Sequence, residues 1–148
     1  MRAPRLRCIA GAGFRLAVCA LVFLGIAPAA SAEWIKMGGN DSVDAYMDLN
    51  LLEKKGEYVL SWRLYDYRSP QKASGGKTFR SAATLVATKC SDRTEAMLSF
   101  MQYAEAMGKG SVVSSREVPR AEWQITKIAP GSIGEALNKV ACQRFKLW

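Results

Sequence analysis

The chain of 148 residues contains no histidine. That removes the side chain that most often serves as general base and metal ligand near neutral pH. Cysteine is sparse, at four, and no two stand as Cys-x-x-Cys. A thioredoxin-type redox motif and a four-ligand structural zinc site are therefore missing. No Gly-x-Ser-x-Gly nucleophile elbow occurs. The nearest match, Gly131-Ser132-Ile133-Gly134, has the wrong spacing and reads as a helix cap. Asp41, Asp44 and Asp48 lack the EF-hand spacing and its closing glutamate. No carboxylate pair is singled out by its context. The sequence thus predicts a non-catalytic protein with no cofactor and no metal. It has no repeat and no low-complexity tract. Its longest apolar run, Leu16 to Ala27, falls short of the roughly 20 residues that span a bilayer.

That short run has a recognisable setting. Arg2, Arg5, Arg7 and Arg15 precede or open it, and Pro28 with the small triplet Ala30-Ser31-Ala32 follows. A positive leading region, a short apolar stretch and a small-x-small site are the parts of a secretory signal peptide. Residues 1–32 are read as that signal, with cleavage after Ala32. Leu16-Ala17-Val18-Cys19 makes a poor lipid-attachment box, because the bulky Val18 precedes the cysteine. Cleavage places the product in the periplasm, on the cell surface or outside the cell. The signal peptide would be its only association with a membrane.

The mature chain, 33–148, is long enough for one domain with a modest core. Without the four leading arginines, 17 Lys and Arg face 13 Asp and Glu, and the net charge falls from +8 to +4. Half of the basicity belongs to the targeting signal. The remainder supports solubility and gives no ground for nucleic-acid binding. Cys8 and Cys19 leave with the signal, so Cys90 and Cys142 remain. In an oxidising compartment they are expected to pair.

Trp34 to Met37 and Val43 to Asp48 read as short strands separated by Gly38-Gly39-Asn40-Asp41. Tyr58 to Tyr67 is the clearest strand. Leu60, Trp62 and Leu64 alternate there with Ser61, Arg63 and Tyr65, so the Trp62 face is predicted to be buried. Arg68 to Lys77 reads as a polar loop. Phe79 to Lys89 and Ser111 to Ser115 are strand-like. Thr94 to Met107 is ambiguous: its Ala, Met, Leu, Glu and Gln favour helix, yet an alternating pattern is also present. Ser132 followed by Glu135 is a capping box opening a C-terminal helix. Ile133, Leu137, Val140 and Ala141 share one face of it. Several antiparallel strands and one terminal helix make an α+β domain.

In order along the chain stand Trp34, Tyr46-Met47-Asp48, Trp62 with Tyr65-Asp66-Tyr67, Phe79-Arg80-Ser81, Lys89-Cys90 and Arg93. Then come Tyr103, Gly108, Gly110, Trp123, Ile128, the stretch Pro130 to Leu137, and Cys142. This ordered set resembles the surface-adhesin protein E family of small exported bacterial proteins. The departures are Phe79, where a tyrosine is expected, and the missing lipid anchor. The resemblance implies about six antiparallel strands with a flanking C-terminal helix, and homodimeric assembly. It also implies that Thr94–Met107 is strand, and the family reading is preferred to the local one. A protein-binding, adhesin-like role follows as an expectation, with host or envelope proteins as partners. The alternatives are a periplasmic accessory protein and, last, a small exported enzyme.

Trp62, Tyr65, Tyr67, Phe79 and Trp123 invite a reading as a ligand groove, but Trp62 is expected in the core. Tyr65 and Tyr67 fall on the opposite strand face, beside Arg63 and Arg80. Tyrosine and arginine are enriched where binding energy concentrates. Arg63, Tyr65, Tyr67 and Arg80 are therefore the candidate interface.

Overall fold

A computed structural model describes residues 32–147. The predicted signal segment lies outside the described residues except for its last residue, Ala32. Two short strands come first, β1 (Trp34–Gly39) and β2 (Val43–Asp48). Next are β3 (Glu53–Lys55) and the long β4 (Tyr58–Lys72). β5 (Thr78–Lys89), β6 (Thr94–Tyr103), β7 (Val112–Glu117) and the two-residue β8 (Thr126–Lys127) follow. Among the described residues one α-helix, α1 (Ile133–Arg144), follows the last strand. All strands belong to one sheet in the order β1-β2-β4-β5-β6-β7, with β3 on β4 and β8 on β6. Every pairing is antiparallel. The expected α+β architecture holds, and the two strands beyond six are the shortest.

Thr94–Tyr103 is a strand, against its helix-forming composition. Nine of its residues find register partners on β5, and that continuous ladder outweighs propensities worth tenths of a kcal/mol each. The predicted loop after Tyr67 is partly strand: β4 continues to Lys72, with Gln71 opposite Phe79. Pro70 sits within the irregularity that interrupts this ladder between Asp66 and Gln71. A residue that lacks an N–H is tolerated there.

The helix begins at the predicted Ser132 cap. Ser132 Oγ accepts from the Glu135 N–H at 3.0 Å, while Glu135 reaches one residue beyond the cap, to the Gly131 N–H at 2.8 Å. Leu137, Ala141 and Cys142 are fully buried and pack with Ala45, Met47, Val59 and Cys90. The Cys90–Cys142 disulfide ties the helix end to the end of β5.

The register fixes two faces. One carries Val59, Ser61, Arg63 and Tyr65 of β4, with Ala45 and Met47 beside them on β2, and lies under the helix. The other carries Tyr46, Leu64, Ala83 and Met101 in one row, and Trp62 and Leu85 in the next. The expectation for β4 is thus reversed, because α1 covers the Arg63 side and not the Trp62 side. Leu64 is nevertheless fully buried, at the place where the β6–β7 loop folds back. Ser81 Oγ donates to the Glu105 carbonyl and accepts from the Gly108 N–H, which fastens that loop. Gly108 takes φ +70°, a conformation open to glycine at no steric cost.

Asp44 joins two elements at the sheet's rim through Lys36 at 2.9 Å and Arg68 at 3.3 Å. The hydrogen bond from Lys36, aided by the Arg68 charge, holds the Asp44 carboxyl below its ordinary value. Stability from this pairing is present above the ordinary carboxylate range and is lost as pH falls through the lowered value. Among the described residues no helix is long and apolar enough to cross a membrane.

Candidate functional site

The four residues of the predicted interface do not form one exposed patch. Arg63 is only 1 % exposed, and it is the largest fully buried side chain. Its Nε donates to Ser61 Oγ at 3.1 Å, and one terminal nitrogen donates to Glu95 Oε2 at 2.9 Å. The other donates to Asn138 Oδ1 at 2.7 Å and to Thr88 Oγ1 at 3.2 Å. Asn138, fully buried on α1, returns a bond from Nδ2 to Glu95 Oε2 at 2.7 Å, and Thr88 Oγ1 donates to Asn138 Oδ1. A charge under a helix persists only with such partners. Arg63 is not exposed as predicted; it is a buried connection between sheet and helix.

The remaining three keep places near the surface on the helix side. Tyr65 is half-buried, its inner edge against the helix core. Tyr67 is half-buried and meets Phe79 edge to face, with ring centroids 5.6 Å apart. Burial, and then the neighbouring Tyr65, push its phenol above its ordinary value, so it is neutral at physiological pH. Arg80 Nε donates to the Tyr67 carbonyl at 3.1 Å, which orients the guanidinium beside that ring. The wider aromatic set is dispersed. Trp62 lies on the far face, and Trp123 packs with Tyr58 at 6.2 Å and under Arg120 at 5.6 Å.

Where α1 leaves the sheet uncovered, a cleft of about 660 Å³ opens, within the range of ligand sites. Its floor is Tyr65, Thr84, Val86 and Met97, on neighbouring strands. One end is the Arg63–Glu95 pair, and Arg116, Val118, Glu122 and Gln124 form the far wall. The four charges are two ion pairs, Arg63–Glu95 and Arg116–Glu122, so the cleft carries no net charge. Its polar capacity lies elsewhere. Tyr65 and Gln124 make no side-chain hydrogen bond among the described residues, and Thr84 Oγ1 is buried without a partner. Met97 is 43 % exposed.

Of the cleft lining, sequence reasoning found Arg63 and Tyr65 and missed the rest. Thr84, Met97 and Arg116 belong to three strands, and only the register brings them together. Met97 alone left a trace, as an apolar residue in a stretch whose periodicity was ambiguous. The opposite face also departs from expectation. Trp34, Tyr46, Leu60, Trp62, Leu85, Met101 and Tyr103 are each half-buried there; α1 lies on the other side, and the β6–β7 loop, with its 3-10 turn at Ala106–Gly108, folds onto part of this face. The solvated face of an antiparallel sheet is ordinarily polar.

The family model of surface-adhesin protein E matches residues 34–143. Two structures of Haemophilus influenzae protein E share the fold. One has a TM-score of 0.56 at 13 % identity, covering 81 % of this chain and 92 % of that one. The second crystal form has a TM-score of 0.58 at 12 % identity, covering 81 % and 96 %. No curated protein matches the chain in sequence. The family is one of surface adhesins, which is not an enzyme class. With its model matched from the first strand to the end of the helix, the chain belongs to the surface-adhesin protein E family.

Proposed function

We propose that this chain is an exported, non-catalytic protein-binding module of the bacterial envelope, adhesin-like in mode, that contacts partner proteins through the helix-side cleft and the adjoining Tyr67 and Arg80. The observation that carries the reading is the cleft itself: an uncharged concavity floored by Tyr65 and the exposed Met97. Aromatic residues, Met and Arg are enriched at interfaces, and Lys and Glu are depleted. Family membership supports partners among host proteins. Cleavage after Ala32 delivers the domain 33–148 to the envelope. N-terminal sequencing of the exported protein should read Glu33-Trp34-Ile35, and a start at Met1 would remove the signal-peptide reading.

Binding is tested with the purified domain on a panel of immobilised extracellular-matrix proteins. Met97→Asp and Tyr67→Ala are expected to weaken binding to any positive surface at least about tenfold, as truncation of interface anchors does. Circular dichroism should show both folded. Unchanged binding by both folded variants would move the contact surface elsewhere.

A second copy of the chain is the proposed occupant of the opposite face. Its uncovered aromatic and leucine rows support an isologous pair, in which the same patch serves both subunits. Trp62→Glu, which places a charge at the centre of that face, is expected to convert a dimer to monomer in light scattering. A wild-type monomer at tens of micromolar would sink this assembly.

A further inference from the structure

The chemistry of the cleft points to one kind of guest, and this inference rests on the binding reading above. Both acidic groups in the lining are paired with the two arginines. A charged guest would have to break such a pair or enter unpaired; at Arg63, whose side chain is 1 % exposed, that carries a desolvation cost, while the Arg116–Glu122 pair is half-exposed. The lining between the pairs is uncharged: Val86, Met97 and Val118 together with Tyr65, Thr84 and Gln124. Thr84 stands apart among them. Its Oγ1 is the one buried side-chain polar atom without a hydrogen bond among the described residues. An orphaned buried hydroxyl destabilises unless a partner is supplied. Thr84 stands opposite Arg63 on β4 and Phe100 on β6, at mid-sheet. Oγ1 is itself buried, so it reaches the cleft that the residue lines only after rotation about χ1. There it can donate to an incoming carbonyl.

We infer that the cleft receives an uncharged aliphatic side chain from an extended segment of the partner protein, with the segment's backbone carbonyl accepting from the Thr84 hydroxyl. Tyr65 and the Gln124 carboxamide flank this position and have hydrogen-bonding capacity to spare. The class of guest is therefore a leucine-like residue within a strand-like peptide, not an acidic or basic one.

The test uses the folded mature domain, isotope-labelled, and N-acetyl-leucine N-methylamide as probe. The aspartate and lysine analogues serve as comparisons. The leucine probe should give saturable shifts in the amides of Thr84, Val86, Met97 and Val118, and the charged analogues should not. Thr84→Val removes the hydroxyl and keeps the shape. It is expected to fold at least as stably as the parent, since the orphan is gone, and to weaken the leucine probe about fivefold to tenfold. Equal shifts from all three probes, no localised shifts, or an unchanged affinity in Thr84→Val would each overturn the inference. Failure here is separable from failure of the binding reading. If Met97→Asp abolishes attachment to the matrix panel while the leucine probe shows nothing, the surface stands and the guest class falls. If Met97→Asp leaves attachment intact, the surface itself falls.

Discussion

Arg63→Ala is expected to destabilise the domain by about 3–5 kcal/mol, the range for removing one partner of a buried ion pair. The loss has three parts. Glu95 keeps its charge but loses a guanidinium at 2.9 Å. Asn138 and Thr88, both fully buried, lose a donor. The space of the largest buried side chain is left unfilled. Glu95 is partly solvated, with 26 % of its side chain exposed, which places the loss toward the lower end. Against a total stability of about 5–15 kcal/mol this is a large fraction. Urea denaturation measures it as a fall in midpoint at constant slope. Arg63→Met combined with Glu95→Gln should recover much of the loss, because it removes the unpaired charge and restores volume. A fall below about 1 kcal/mol for Arg63→Ala would mean that the network does not hold helix to sheet.

Replacing Cys90 and Cys142 together by alanine is expected to cost about 4 kcal/mol. The closed loop has a sequence separation of 52, and the chain-entropy relation for a loop of that length gives this figure. For a domain of this size it corresponds to a fall in melting temperature on the order of 15 °C. The effect is concentrated at α1, because the disulfide cross-links its last turn to the end of β5. Hydrogen exchange should therefore show the helix amides losing protection first, ahead of the β4–β5 ladder. Equal melting of oxidised and reduced protein would contradict this assignment. The two changes meet on one element: Arg63 holds α1 through Asn138 in its middle, and the disulfide holds it through Cys142 near its end.

What could be read from the sequence was what local rules determine. Ser132 followed by Glu135 marked the helix start; the Ser132 half of the box forms as expected, and the Glu135 carboxylate takes the Gly131 N–H instead of that of Ser132. β-Branched runs marked β5 and β7. The two cysteines of residues 33–148 marked the disulfide. Thr94–Tyr103 was assigned to strand only through its family resemblance, since its own residues favour helix and its partners lie on a separate strand.

The face of β4 failed for a specific physical reason. Leu60, Trp62 and Leu64 formed the hydrophobic stripe, and hydrophobic alternation ordinarily points inward. The helix nevertheless covers Ser61 and Arg63, because their polar groups are satisfied by Glu95, Asn138 and Thr88. Those partners stand 25 to 75 residues away in the chain. No window of sequence contains them together. The same inversion leaves Trp62 and Leu85 on the uncovered side and gives that face its apolar character. The candidate site was partly legible for a related reason. Tyr65 was identified because tyrosine beside arginine suggests an interface, but the cleft is a property of the sheet register across β4, β5, β6 and β7.

Surface display is the requirement on which the adhesin-like account rests most directly. Protease shaving of intact cells measures it, with a periplasmic protein as control for a closed outer membrane. The account predicts that the mature domain is cut while the control survives. If the domain stays protected under conditions that strip known surface proteins, the chain is a periplasmic accessory protein, and its cleft serves a partner within the envelope.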